Sequence, residues 1–188
     1  GVDLVCRLKE KKVSIIATGE MGIGNTTTSS AVTSVLLGLE PALVTGRGAG
    51  LSDSGLLRKR AAIEQAVGLN QPDPQDPLDV LTKVGGLDLA GLCGVFLGGA
   101  LFRVPVLIDG LISAAAALCA VRLCPAARYA MLASHVSAEP AGQLVLEALG
   151  VKPLITAEMR LGEGSGAVAA LPLLDMALAV YHSGQTFE

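Results

Sequence analysis

The stretch VSIIATGEMGIGNTTTSSAV, residues 13–32, decides the fold. Its first five residues are rich in β-branched side chains, which is typical of a buried strand. A glycine-rich loop follows over residues 19–24, and residues 26–37 then read as an uncharged helix. Because a strand that passes through such a loop into a helix is half of a β-α-β unit, the stretch predicts an α/β protein.

The rest of the chain repeats this alternation of short apolar runs and helical patterns. An amphipathic helix is expected over residues 2–8, and residues 70–77 read as a surface connector. Helix 52–67 is expected to be capped by Ser52 or Asp53 and to end before Gly68. Such alternation favours one domain with a mainly parallel sheet. Helix 138–149 is expected to be capped near Ser137 and to be followed by Gly150, and helix 165–181 is expected to bend at Pro172. Further strands are expected at 104–108, 129–133 and 154–157, and helices at 52–67, 78–84, 87–102, 111–123, 138–149 and 165–181.

Composition excludes several classes of protein. Hydrophobic residues make up 51% of the chain and charged residues 16%, which excludes a disordered protein. Acidic residues outnumber basic ones, 17 to 14, so a nucleic-acid partner is not expected. The best apolar run, residues 89–102, is shorter than the ~20 residues that span a bilayer, so no membrane is expected either. We attribute the apolar content to buried parallel strands and a subunit interface.

Cysteine and histidine are too scattered to indicate a metal site. Cys6, Cys93, Cys119 and Cys124 form no CxxC pair, and we expect them to be buried thiols in a reducing compartment. The only histidines are His135 and His182, far apart in the chain, and His135 is expected to act in capping or behind the site.

The loop at residues 19–28, GEMGIGNTTT, is a candidate anion site. Glycines let a ligand approach the backbone, and the free N–H groups at a helix start favour an anion. The spacing is that of a Walker A loop, but Asn25 stands where the lysine is required. A monophosphate or ribosyl phosphate is therefore the expected ligand rather than a triphosphate.

Two more glycine-rich turns carry isolated charges. In Gly46-Arg47-Gly48, which leads into a helix cap, the arginine is expected to face a ligand. The basic run at 58–60 reads as a solvated helix face or as a phosphate contact through Lys59. Glu163 lies between two glycines, just before an apolar helix, where it can project into a cleft as a general base.

Two alternatives remain open on these residues. One is a P-loop-type nucleotide-binding protein, in which Asp109, at the end of an apolar strand, would hold the metal. The other is a phosphate-binding fragment without turnover.

Taken together, the turns resemble the nicotinate-nucleotide–dimethylbenzimidazole phosphoribosyltransferase family. The resemblance covers essentially all 188 residues. It rests on the order of several motifs: GEMGIGNTT at 19–27, GRG at 46–48 with GLSD at 50–53, DPLDV at 76–80, KVGG at 83–86, DG at 109–110, SH at 134–135 and LGEGSG at 161–166.

This resemblance implies a fold, a reaction and a set of site residues. The fold is a Rossmann-like three-layer α/β domain, with helices on both faces of a mainly parallel sheet. The reaction moves the phosphoribosyl group of nicotinate mononucleotide to a benzimidazole or related aromatic base, inverting the anomeric carbon, in cobalamin synthesis. The implied enzyme is a cytoplasmic homodimer without metal or other cofactor. Glu163 is the implied base, and the implied substrate-binding residues are Glu20, Gly22, Gly24, Asn25, Thr26, Gly46, Arg47, Gly48, Lys59, Asp109, Ser137, Leu161 and Gly164.

The chain departs from the family at its ends. Family members extend further at the N-terminus, so we expect this chain to lack that portion. The phosphoribosyl half of the site and the base are then present, whereas the pocket for the aromatic acceptor is incomplete. Activity of these 188 residues alone, and the identity of the acceptor, stay open.

Overall fold

The computed structural model describes residues 1–184. Helices and short parallel strands alternate along these residues, as the sequence predicts. The elements are α1 (Val2–Glu10), β1 (Ile16–Ala17), α2 (Asn25–Leu37), α3 (Pro41–Val44), α4 (Asp53–Asn70), α5 (Pro77–Val84), α6 (Leu87–Phe102), β2 (Val106–Ile108), α7 (Leu111–Leu123), a 3-10 helix (Pro125–Ala130), β3 (Met131–Ala133), β4 (His135–Ser137), α8 (Gly142–Leu149), β5 (Ile155–Met159) and α9 (Ser165–Ser183).

All strand pairs in the described residues are parallel. Strands β1, β2 and β3 form one sheet in that order, and β4 pairs with β5 in a second. A single residue, Ser134, separates β3 from β4. Its carbonyl accepts from Ile155 N at 2.9 Å, while Ala133 O accepts from Leu154 N at 3.1 Å. One extended segment therefore joins the two sheets, and the predicted α/β class with parallel strands is confirmed.

Helix α7 forms the centre of the core. Every residue from 111 to 120 is buried, and four consecutive alanines, 114–117, let neighbouring helices approach closely. A helix that is apolar on all sides must be covered on all sides. Helices α2, α6 and α8 supply that cover. Strand β2 is also fully buried, which places the carboxyl ends of the central strands inside the molecule, at the floor of a cleft.

Several predicted boundaries need correction. Strands β1, β2 and β3 are shorter than predicted, β5 begins one residue later and ends two residues later than predicted, and neither β4 nor the short α3 was anticipated. Ser52 does cap α4, since its Oγ accepts from Gly55 N at 3.2 Å, but the helix continues past Gly68 to Asn70. Helix α8 begins at Gly142, four residues later than predicted, and no side chain caps it; Gly150 follows its end in a left-handed conformation, as expected. Residues 138–141 thus form a loop.

Helix α9 is longer than any apolar run that the sequence analysis considered as a possible bilayer span. Among the described residues it is the one helix that is long and apolar enough to cross a bilayer, judged by length and composition alone. It continues through Pro172, and most of its side chains beyond Ala170 are exposed. Val168, Met176, Val180 and Tyr181 are each more than half exposed, so α9 presents an uncovered apolar surface.

The cysteines match the expectation only in part. All four are free thiols, and Cys93 and Cys119 are buried. Burial raises the pKa of the Cys93 thiol to about 11 and that of Cys119 to about 12, so both behave as inert apolar side chains. Cys6 is half-buried, however, and Cys124 is exposed, contrary to the expectation of four buried thiols.

Two glycines of α6 predict opposite effects of the same substitution. A Cβ at Gly99 would lie 2.5 Å from Val106 Cγ2 and 2.9 Å from Val104 O, whereas a Cβ at Gly91 would meet nothing within 4 Å. We expect Gly99→Ala to lower the free energy of unfolding by ~1–3 kcal/mol through overpacking. Gly91→Ala should raise it by ~0.5–1 kcal/mol, because alanine costs less backbone entropy in a helix. Urea unfolding checks both, and a change of the same sign in the two variants would contradict the packing of α6 on β2.

Candidate active site

A cleft opens where strands β1, β2, β4 and β5 end, the usual ligand position in an open α/β sheet. Six of the residues predicted from sequence line it directly. The wall is formed by the loop before α2, the turn before α4, the start of α7, the end of β4 and the segment after β5. Its residues are Glu20, Gly22, Thr26, Gly48, Ala49, Gly110, Leu111, Ile112, His135, Ser137, Glu139, Met159, Arg160, Leu161 and Gly162.

Asn25 organises the loop in front of α2. Its Nδ2 donates to Glu20 Oε2 at 2.9 Å and to Met21 O at 3.1 Å. The residue that replaces the Walker lysine therefore holds a carboxylate in place instead of supplying a positive charge. This arrangement presents Glu20 to the cleft, half-buried and with a fixed orientation.

The pKa of Glu20 is raised above its ordinary value. Burial is the main cause, and the nearby carboxylates of Asp109, Asp88 and Glu163 add to it, while the hydrogen bond from Asn25 opposes it. The folded protein therefore binds a proton at Glu20 at a pH where the unfolded chain has released it.

This raised pKa predicts a pH-dependent cost to stability. Between the ordinary glutamate pKa and the raised one the folded state holds more protons, so the free energy of unfolding falls as pH rises through that window. We expect Glu20→Gln to remove this decline and to be more stable than the parent at neutral pH, since Gln can still accept from Asn25. Urea unfolding from pH 4 to pH 8 measures it, and parallel curves for parent and variant would contradict the burial of this charge.

A second hollow adjoins the cleft and shares Gly22, Thr26 and Ala49 with it. Gly24, with φ 81°, is the N-cap of α2, and no side chain caps the helix there. Lys59 reaches the hollow from α4 and is 7% exposed. Its Nζ donates to Thr26 Oγ1 at 3.0 Å and to Gly46 O at 3.1 Å. A buried cation beside an uncapped helix start favours an anion such as a phosphate.

Burial lowers the pKa of Lys59, and the carboxylate of Glu139 opposes that shift. Glu139 was not anticipated from the sequence. Its Oε2 is buried without a hydrogen-bond partner. Since the sequence pattern placed residues 138–141 inside a helix, it gave no reason to expect this side chain in the cleft.

Arg47 lies at the edge of the second hollow and is half exposed. It donates to Leu51 O at 2.7 Å and pairs with Asp53. The guanidinium thus braces the turn before α4. Arg47 borders the hollow but makes no hydrogen bond to Thr26 Oγ1 or Gly46 O, the two acceptors of Lys59.

Glu163 lies in a tight turn beside the cleft. Gly162, Glu163 and Gly164 all have positive φ, at 78°, 58° and 79°. The carboxyl-bearing residue is exposed, and its neighbour Gly162 lines the cleft opposite Glu20: a Cβ there would lie 3.3 Å from Glu20 Oε1. The two carboxylate-bearing turns therefore face each other.

Asp109 lies behind this turn, at the end of β2, and is 2% exposed. Its Oδ2 accepts from Gly164 N and its Oδ1 from Ala167 N, both at 3.0 Å. His135 lies 3.9 Å from Asp109 Oδ1, and burial lowers the pKa of its imidazole despite that carboxylate. Among residues 1–184 there is no cluster of three His, Cys, Asp or Glu side chains that could hold a metal ion.

Comparison with known proteins decides the family. A family model described as phosphoribosyltransferase matches residues 1–188. The chain belongs to this phosphoribosyltransferase family. Curated proteins named nicotinate-nucleotide–dimethylbenzimidazole phosphoribosyltransferase are 52% identical to it in both Ruminiclostridium cellulolyticum and Acetivibrio thermocellus, over 187 and 188 residues that make up 100% of this chain.

A solved structure is also similar. The crystal structure of CobT from Thermus thermophilus has a TM-score of 0.90 and 41% identity over 96% of this chain. The phosphoribosyltransferase chain spans about half the length of these proteins: 53% and 54% of the two curated relatives and 54% of the solved chain. The similarity confirms the family and the Rossmann-like α/β fold.

Proposed function

We propose that this phosphoribosyltransferase transfers the phosphoribosyl group of nicotinate mononucleotide to a benzimidazole-type base. The products are nicotinate and an α-ribazole phosphate, a step in cobalamin biosynthesis. The observation that carries the proposal is the pairing of two carboxylate-bearing turns, at Glu20 and Glu163, beside an anion-binding hollow. Relatives named for this reaction support it.

The donor's phosphate is assigned to the hollow at the start of α2. Lys59 supplies the charge there, and the N–H groups that follow Gly24 supply hydrogen bonds. Gly22, Gly46 and Gly48 let the backbone approach the ligand, and a Cβ at Gly48 would lie 2.8 Å from Thr26 Oγ1. The ribose then extends into the adjoining cleft, toward Glu20, Ser137 and Leu161.

The chemical step is assigned to Glu163. As a nitrogen of the acceptor attacks C1 of the ribose, the C1–nicotinate bond breaks and its electron pair leaves with nicotinate. Glu163 accepts the N–H proton that the acceptor loses. Attack from the face opposite the leaving group inverts C1, and the carboxylate of Glu20 stabilises positive charge that develops on the sugar.

The P-loop alternative fits the same residues less well. Both oxygens of Asp109, its required metal ligand, are engaged by backbone N–H groups. Asn25 holds Glu20 instead of reaching a triphosphate. Isothermal titration of the full chain with nicotinate mononucleotide and with ATP–Mg²⁺ separates the two functions: we expect the mononucleotide to bind more tightly, and the reverse order would overturn the transferase proposal.

Turnover is tested by mass spectrometry of the product. We expect α-ribazole phosphate to accumulate when nicotinate mononucleotide and dimethylbenzimidazole are supplied together. Assaying residues 1–188 in parallel with a chain of the relatives' full length also tests the alternative of a phosphate-binding fragment without turnover. If only the longer chain forms product, the acceptor pocket is assigned to the additional length.

We further propose that residues 1–188 form one domain, that the enzyme is a cytoplasmic homodimer, and that it needs no metal. The four free thiols suit a reducing compartment. The apolar side chains that α9 exposes are a surface that a second copy can cover. Light scattering of the full chain measures the dimer, and turnover in the presence of a chelator tests the metal independence.

A further inference from the structure

We propose that Asp109 is a positioning residue that holds the Glu163 carboxylate in its working orientation, through backbone hydrogen bonds to the turn and to the helix that follows it. This inference rests on the proposed role of Glu163. It concerns a buried carboxylate, at the far end of β2, that takes no part in the chemical step itself.

The turn that carries Glu163 has an unfavourable conformation. Ser165 N donates to Gly162 O at 3.0 Å, which closes a four-residue turn with Glu163 and Gly164 at its centre. Both central residues have positive φ, the geometry of a type I′ turn. Glycine, asparagine and aspartate are usual at these positions, whereas glutamate in the left-handed region is strained. Such strain persists only where the surroundings impose it.

The buried carboxylate of Asp109 holds the turn in this conformation. Its two oxygens accept from Gly164 N and Ala167 N, the N-cap and the third residue of α9. No side chain within α9 caps this helix start. A carboxylate 55 positions earlier in the chain therefore does so, and the favourable interaction with the helix dipole strengthens the contact.

Close packing prevents the turn from relaxing elsewhere. A Cβ at Gly19 would lie 2.5 Å from Gly164 N, so the loop of Glu20 abuts the turn on one side. A Cβ at Gly166 would collide with the His135 ring and lie 2.9 Å from Asp109 Oδ1. The turn is held between the Gly19 backbone and the Asp109–His135 pair, which leaves the Glu163 side chain as its exposed part.

The test uses Asp109→Asn in the full chain, with Ser34→Ala as the matched control. Asn presents an N–H₂ group to one of the two backbone donors, so one anchor is lost. Ser34 is also buried and donates one 2.6 Å hydrogen bond, to Leu39 O, far from the cleft. We expect Asp109→Asn to lower kcat by about 10- to 100-fold, the cost of a misplaced catalytic group, with KM for nicotinate mononucleotide nearly unchanged. The control should change neither constant.

A double-mutant cycle with Glu163→Gln separates positioning from general stability. If Asp109 acts through Glu163, the double variant is no slower than Glu163→Gln alone. Multiplied effects of the two substitutions would overturn the proposal.

Hydrogen exchange provides a readout that needs no turnover, so the inference can be judged even if the proposed reaction fails. We expect exchange at residues 163–168 to rise about tenfold or more in Asp109→Asn while α8 stays unchanged. Unchanged exchange there would overturn the anchor. If Asp109→Asn does not fold, Asp109→Ser, which keeps one acceptor, takes its place. Unfolding of both, with Ser34→Ala folded, would assign Asp109 to the global fold and also overturn the proposal.

Discussion

Glu163→Gln should lower kcat for α-ribazole phosphate formation by ~100- to 10,000-fold, the usual contribution of a general base. Gln keeps the size and the turn but cannot accept the proton that the acceptor nitrogen loses. Because Glu163 is exposed and lies outside the phosphate hollow, KM for nicotinate mononucleotide should change little. Single-turnover assays by mass spectrometry measure the rate of the chemical step.

Glu158→Gln is the matched control. Glu158 is also exposed and also has a positive φ, 49°, but it lies within β5, whereas Glu163 lies in the turn next to Glu20. It should keep the parental rate. Near-normal turnover by Glu163→Gln, or an equal loss in both variants, would show that Glu163 is not the base.

Lys59→Met should weaken binding of nicotinate mononucleotide by about 10- to 100-fold, since a charge-assisted hydrogen bond to phosphate is lost. Met retains an apolar stem of similar length, which can stay buried as that of Lys59 is. The effect should fall on KM and Kd more than on kcat, because the lysine lies in the phosphate hollow rather than at the turn of Glu163. Isothermal titration measures it directly.

Arg58→Met controls for loss of a positive charge. Arg58 is adjacent in sequence but exposed, so its replacement should leave affinity within about twofold, as expected for a screened surface charge. The lowered pKa of Lys59 adds a pH signature: affinity of the parent should decline at a lower alkaline pH than an ordinary lysine would dictate. Equal losses in the two variants would contradict a phosphate site at Lys59.

Sequence patterns predicted the β-α alternation because burial imposes it locally. The apolar run of β2 and the alanine-rich α7 can only be stable when covered on all sides, and both are buried. The turns at Gly19, Gly46 and Gly162 were likewise predictable, since clustered glycines interrupt periodic segments where the chain must bend or approach a ligand.

Tertiary contacts account for what the patterns missed. The sequence shows that Glu163 stands between glycines, but not that Asp109 caps the helix after it, because that bond joins residues 55 apart. The segment at 138–141 has helical composition yet follows β4 as a loop, so Glu139 reaches the cleft although no pattern predicts it. The residues of Lys59's hollow come from α2, α4 and two loops, and only the fold brings them together.

The contact between Gly19 and Gly164 limits how such an enzyme can diversify. Because these turns touch through their main chains, close packing fixes the spacing between the two backbone segments that carry the carboxylates, and no side chain lies between Gly19 and Gly164 whose substitution could adjust that spacing. We therefore expect adaptation to a new acceptor to come from side chains that line the cleft, such as Met159 and Leu161, which lie on the segment that leads into the Glu163 turn. The backbone thus fixes the spacing of the two turns on which the proposed reaction depends, whereas substitutions of the lining side chains can change which acceptor binds.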